Sequence, residues 1–417
     1  MIKFDRFTLK NGLRVIVHKD VNTPIVAVNI IYNVGARDEN PKETGFAHLF
    51  EHLMFGGSIN IPTYDEPLQQ VGGENNAFTS NDITNYYITI PKENIETAFW
   101  LESDRMLSLA FSEKSLEVQK NVVIEEFKQR YLNQPYGDIW LLLRPMAYKK
   151  HSYKWATIGK SIKHIENANM QQVKDFFYSH YAPNNAILVV AGDVDTENIK
   201  ALSEKWFGQI ELRNVKVRNL PKEPLQRKER IKSVTRNVPF NSIIKAFHMC
   251  NRLDSNYYVL DVISDLLSGG KSSRFYKKLV KEKKIFSEID AYITGNIDDG
   301  LFVIQGTLYE GISMKKAEQA INSEIEKLIL NGASEYELNK IKNKVESSLA
   351  FSEINVLNKA MNLAFFELIG DADLFNQETE NYAKVDNAII KKLAKRYLRK
   401  SNCSTLYYYR KNESEKT

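Results

Sequence analysis

Short apolar runs separated by turn residues open the chain and predict strands. Phe7-Thr8-Leu9-Lys10 and Leu13-Arg14-Val15-Ile16-Val17 flank Asn11-Gly12, a dipeptide suited to a two-residue hairpin turn. Ile25 to Tyr32 is apolar at nearly every position and reads as a buried strand. The period then changes. From Gly45 to Ser58 the helix formers Ala47, Leu49, Phe50, Leu53 and Met54 follow Thr44, which suits an N-cap, and Gly56-Gly57 ends the run. Thr63 to Val71 predicts a short helix stopped by Gly72-Gly73, and Asn75 to Ser80 and Asn85 to Ile90 predict neighbouring strands. Pro91 opens a helical stretch through Leu109. A second runs from about Ser112 to Tyr131, with Leu116, Val123 and Phe127 as its core stripe and Glu126 at the edge of that stripe.

The plan then recurs. An amphipathic helix over residues 170–181 leads through Pro183-Asn184-Asn185 into the strand Ala186 to Ala191. Asn214 to Pro239 is basic, carries prolines and lacks apolar periodicity, so it reads as an interdomain linker. Beyond it, Ser242 to Phe247 answers the strand at Ile25, and a helix from Asn256 to Leu267 precedes Gly269-Gly270. Ile390 to Leu398 followed by Ser401 to Tyr409 mirrors the helix, turn and strand at Val173 to Val190. The expected class is α+β, with a first domain at 1–213, a linker at 214–239 and a duplicated domain at 240–417.

Composition narrows the function classes. A chain of 417 residues exceeds one ordinary core, which agrees with two domains. The net charge of +5 is small and its lysines are dispersed, which argues against a nucleic-acid partner. No run reaches the roughly 18 to 20 apolar residues of a membrane span, and Met1-Ile2-Lys3-Phe4-Asp5 opens without an apolar signal core. A cytoplasmic location is expected, or a periplasmic one if a signal has been removed. Cys250 and Cys403 stand in no metal spacing and imply no disulfide framework.

The candidate chemistry lies in His48-Leu49-Phe50-Glu51-His52. Residues three and four apart share a helix face, so His48 and His52 can aim at one point, with Glu51 beside them. Two imidazoles and a carboxylate from elsewhere leave one zinc position open for water, the pattern of a catalytic site. Glu126 is a candidate for that carboxylate; the plainer reading of it is a solvated surface acid. His18, His151, His164 and His180 read as surface residues, and His248 as a structural residue on a strand.

The string Gly45 to Phe55, followed by Gly72-Gly73-Glu74-Asn75-Asn76-Ala77-Phe78-Thr79-Ser80 and Thr84-Asn85-Tyr86-Tyr87, resembles the pitrilysin, insulinase and mitochondrial-processing-peptidase family of inverted-motif zinc peptidases. The resemblance covers essentially the whole chain and matches the short bacterial type, whose members pair as dimers. It implies two homologous domains, each a mainly antiparallel sheet packed with helices, forming half of a clamshell. It implies one zinc per chain on His48, His52 and Glu126, the last matched by Val122-Val123-Ile124-Glu125-Glu126, with Glu51 as general base. Asn76, Ala77 and Phe78 then form an edge strand that takes an extended peptide as one more strand.

The sequence departs from the family in two places. Gln119 stands where the family usually has a second-shell Glu, so it can orient a ligand but adds no charge. Lys281 and Glu288 stand where an Arg and a Tyr commonly bind the substrate backbone, a degenerate pair. These departures imply a heterodimer in which a paralogue carries the Arg-Tyr pair, with a homodimer as the other arrangement. A non-catalytic paralogue of the same family and a peptide-binding module using the edge strand alone are the competing readings.

Overall fold

The computed structural model describes residues 1–411. In the first half, β1 (Asp5–Thr8), β2 (Arg14–Lys19) and β3 (Ile25–Tyr32) precede α1 (Phe46–Leu53) and α2 (Asp65–Gln70). Then come β4 (Glu74–Thr79), β5 (Thr84–Pro91), α3 (Ile95–Leu107), α4 (Glu113–Phe127), α5 (Ile139–Ala147), α6 (Ile162–Glu166), α7 (Met170–His180), β6 (Ala186–Gly192) and α8 (Thr196–Phe207). The second half runs β7 (Arg230–Arg236), β8 (Ser242–His248), α9 (Asn256–Ser268), β9 (Phe286–Ile293), β10 (Leu301–Leu308) and α10 (Met314–Asn331). It continues through α11 (Glu335–Ser352), α12 (Val356–Ile369), α13 (Glu378–Ala383) and α14 (Asn387–Tyr397) to β11 (Cys403–Arg410). The fold is α+β, with two sheets packed by helices.

The first compact unit comprises residues 1–130, 151–221 and 350–377. Its six-stranded sheet has the order β1-β2-β6-β3-β5-β4 and is antiparallel except at β2 and β6. The expected hairpin closes as β1 and β2, with Thr8 opposite Arg14. From Val26 onward β3 is buried at every position, so it needs cover on both faces. One layer is an aromatic cluster: Tyr32 lies 4.7 Å from Tyr181 and 5.9 Å from Tyr86, ring centre to ring centre. α12 also packs on β3, β6 and β2, held by Lys359 Nζ on Asp20 Oδ2 at 2.6 Å.

The second unit comprises residues 131–150, 222–349 and 378–417. Its five-stranded sheet has the order β7-β11-β8-β10-β9 and is antiparallel except at β7 and β11. α5 packs on β8 and β11, and α9, α10 and α14 build the main apolar core around Leu260, Ile263, Phe302 and Leu328.

These units differ from the linear boundaries at 213 and 240. α12 lies in sequence between stretches of the second unit yet belongs to the first, and α5 does the reverse. The segment expected as a linker divides at Pro221. Its N-terminal part is tied to the first unit by Arg218, which pairs with Asp38 and donates to the Asn33 carbonyl. Its C-terminal part is β7, whose largely exposed Arg-Ile-Lys-Ser-Val-Thr-Arg shows no apolar alternation because it is an outer strand.

Candidate metal centre

α1 is amphipathic. Phe46, Ala47, Leu49, Phe50 and Leu53 are buried, and Phe50 packs on α7 with ring centres 4.9 Å from Phe176 and 6.5 Å from Phe177. This packing fixes the rotation of the helix about its axis. His48 and His52 then fall on one side, ring centres 4.9 Å apart. The helix does not begin as expected at Thr44. Gly45 is its N-cap, with φ 94°, and a Cβ there would stand 2.7 Å from the Ile158 carbonyl oxygen. Thr44 is buried and turned away, its N–H donating to His164 Nδ1 at 3.0 Å.

α4 packs beside α1. Its expected core stripe, Leu116, Val123 and Phe127, is buried, which turns Glu126 toward α1. Glu126 Oε2 lies 3.5 Å from Nε2 of both His48 and His52. One ligand atom from each of the three residues lies within 4.8 Å of the others. A tetrahedral ion with ligands at about 2.1 Å has edges of about 3.4 Å, so the two His-to-Glu spacings fit a shared zinc-sized ion. Burial pushes His48 down to about 4, which leaves its imidazole neutral with a lone pair at neutral pH. The hydrogen bond with His52, then nearby His48 and Arg130, hold Glu126 below the usual carboxylate range against its desolvation. Arg130 Nε pairs with the other Glu126 oxygen at 3.1 Å.

Glu51 is half-buried and accepts a 2.6 Å hydrogen bond from Thr79 Oγ1. Burial raises its pKa, opposed by the Thr79 hydroxyl. Thr79 ends β4, an outer strand that among the described residues pairs only with β5. Asn76 and Phe78 on β4 are exposed and Ala77 is half-buried. Gln119, half-buried on α4, makes no hydrogen bond to either imidazole or to Glu126. In the second unit, Lys281 is exposed in the helical turn Tyr276–Glu282, and exposed Glu288 on β9 accepts from Thr307 Oγ1 at 3.1 Å.

Three histidines expected at the surface are buried, His18, His151 and His180 each being under 9% exposed, and His164 is half-buried. His248, expected as structural on a strand, lies on β8 and is hydrogen-bonded to the Ala147 carbonyl oxygen at 2.9 Å. Three neighbours of the site escaped the sequence reading: Thr79, Arg130 and Glu39. Thr79 lay in the quoted Asn-Ala-Phe-Thr-Ser string, two positions from Ala77 and so on its face of the strand. Arg130 lies one helical turn from Glu126. Glu39 gave no local signal.

Residues 14–158 match the family described as insulinase (peptidase family M16), and residues 167–345 match the peptidase M16 inactive domain. The chain belongs to peptidase family M16. This M16 chain is 31% identical over 348 residues to "Zinc protease PqqE" of Helicobacter pylori, covering 82% of this chain and 78% of that protein. It is 27% identical over 359 residues to "Uncharacterized zinc protease YmxG" of Bacillus subtilis, covering 84% of each. The crystal structure of a protease from Helicobacter pylori superposes with a TM-score of 0.92 at 27% identity, covering 98% of this chain and 100% of that one. Short bacterial M16 proteins are thus its relatives. Among the described residues no helix is long and apolar enough to cross a membrane.

Proposed function

We propose that this M16 chain is a zinc metallopeptidase acting on peptides or unfolded segments, and that it is the zinc-bearing subunit of a dimer. The observation that carries the reading is the convergence of His48, His52 and Glu126 from two helices, with Glu51 one residue from His52. His48 and His52 would hold zinc through Nε2 and Glu126 through Oε2, with Arg130 keeping the second oxygen engaged. Bound there, zinc would activate a water and polarise the scissile carbonyl. Glu51 takes the proton from the attacking water and passes it to the leaving amine, its carboxylate oriented by Thr79. Asn76, Ala77 and Phe78 receive an extended peptide along the free side of β4, which demands unfolded substrate and little sequence preference.

Lys281 and Glu288 offer no planar fork and no hydroxyl donor for the substrate backbone, so a paralogue carrying Arg and Tyr completes the site; a homodimer would leave it incomplete. The same two positions favour a second reading, a non-catalytic paralogue. Zinc content and peptide turnover, measured with and without a co-expressed paralogue, separate them. Glu51→Gln is expected to keep one zinc per chain while turnover falls about 10²- to 10⁴-fold. Wild-type turnover in that variant removes Glu51 from the mechanism, and a parent chain without zinc removes the peptidase reading.

A further inference from the structure

α1 has only eight residues, carries both imidazoles of the candidate metal centre, and begins at a glycine that has no side chain to cap it. Its first N–H groups therefore need acceptors from elsewhere. Glu39 supplies them. Its Oε2 accepts from Gly45 N–H and its Oε1 from Ala47 N–H, each at 2.9 Å. The side chain is 6% exposed, so its carboxylate is held in a setting that disfavours charge, opposite the positive end of the helix.

The loop bearing Glu39 is itself braced. Arg37 pairs with Asp82 at 3.0 Å, both buried. Trp155 Nε1 donates to the Ala36 carbonyl at 2.8 Å, and Arg218 Nε pairs with Asp38 at 2.6 Å. These contacts immobilise residues 36–39, and the carboxylate transmits that immobility to α1. Ala47, whose N–H it holds, immediately precedes His48.

We propose that Glu39 is a positioning residue for the metal centre: it fixes the first turn of α1, and through it the meeting point of His48 and His52 opposite Glu126. The role rests on the zinc reading above. Metal constellations tolerate displacements of only about 0.5 Å, so a loosened first turn should weaken zinc binding even where the fold survives. Glu39→Gln is the informative change. It keeps the size but turns one acceptor oxygen into an N–H donor facing an N–H, so one bond is lost and a repulsion takes its place. Asp195→Ala is the control, since it removes the capping side chain of α8 in the same unit, a helix that packs on α3 and β2.

The experiment uses the full chain and two readouts. Amide exchange of residues 46–50 is followed in zinc-free protein, and zinc affinity is measured by chelator competition with zinc alone. Glu39→Gln is expected to speed α1 exchange and weaken zinc at least tenfold, while Asp195→Ala lowers the melting temperature and leaves zinc affinity unchanged. Unchanged α1 exchange in Glu39→Gln overturns the anchoring. Equal zinc loss in Asp195→Ala, or none in Glu39→Gln with faster exchange, overturns the link to the metal centre. A parent chain that takes up no zinc overturns the metal reading itself, and that failure is recognisable because the exchange readout needs no metal.

Discussion

In the first unit, Asn185 Nδ2 donates to the carbonyls of His180 and Asn33 at 2.7 and 3.4 Å. In the second, Asn402 Nδ2 donates to the carbonyls of Tyr397 and His248, both at 2.8 Å. Each asparagine ties the end of a helix to the strand that neighbours the one it opens. Aligned on this feature, Tyr32 opposite Ala186 corresponds to Phe247 opposite Cys403, and the strand orders from β2 and β7 inward coincide. The layers behind the two sheets then diverge. Ile30, Leu188 and Val190, all fully buried, correspond to Lys245, Thr405 and Tyr407. Lys245 Nζ pairs with Glu318 at 2.6 Å, Tyr407 donates to Glu318 at 2.7 Å, and a cavity of about 300 Å³ opens beside them.

Duplication has therefore preserved the backbone ties and released the side chains. The candidate metal chemistry sits in one copy, where residues 33–45, with the Glu39 loop, stand between β3 and α1. Its counterpart, residues 249–255, joins β8 directly to α9, which bears no histidine.

The largest expected effect comes from exchanging the layers. Ile30→Lys buries an ammonium between Leu188 and Tyr86 without a designed partner and is expected to cost about 3–5 kcal/mol. Lys245→Ile should cost clearly less, because the Glu318 it leaves behind borders the open cavity and can hydrate. Denaturant unfolding of the two variants checks this. Equal losses would mean that the second unit depends on its ion pair as the first depends on its apolar layer.

The shared tie comes next. Asn185→Ala and Asn402→Ala each remove two side-chain hydrogen bonds to backbone carbonyls, although Arg218 still donates to the Asn33 carbonyl, and each is expected to cost about 1–2 kcal/mol. The comparison requires the two losses to agree to within about 1 kcal/mol. A large disparity would show that the asparagines hold unequal loads and that the alignment built on them is superficial.

What was legible in the sequence follows the range of the interactions. His48, Glu51 and His52 lie three and four apart on one helix, so their shared face could be read locally. Glu126 could be placed at the edge of an apolar stripe, but its distance from the imidazoles depends on how α4 packs against α1. Outer strands were read poorly. β7 looked like a linker because an exposed strand has no buried face to impose alternation. That α12 packs on the first sheet could not be read, because sequence order says nothing about which sheet a helix covers. His18 looked like a surface residue because its partner, the Lys3 carbonyl, comes from the packing of the chain. The Phe176 ring against His180, by contrast, lies one turn away on the same helix and was open to a local reading.

The smallest effect tests whether each unit fastens its long helix by the same electrostatics. In the first, a hydrogen bond from Lys359 on α12 holds Asp20 down to about 2. In the second, Arg274 holds Glu337 on α11 down to about 2. Both carboxyls bind protons less readily folded than unfolded. Each pair therefore contributes its full stability above the unfolded value near 4, and that contribution is lost as pH falls through about 2. Asp20→Asn and Glu337→Gln should each lower stability by about 1–2 kcal/mol at pH 7 and flatten the decline between about pH 4 and 2. Melting curves across that range are the check. If only one variant flattens, the resemblance between the units stops at the backbone, and the helices that cover them were fastened independently after the duplication.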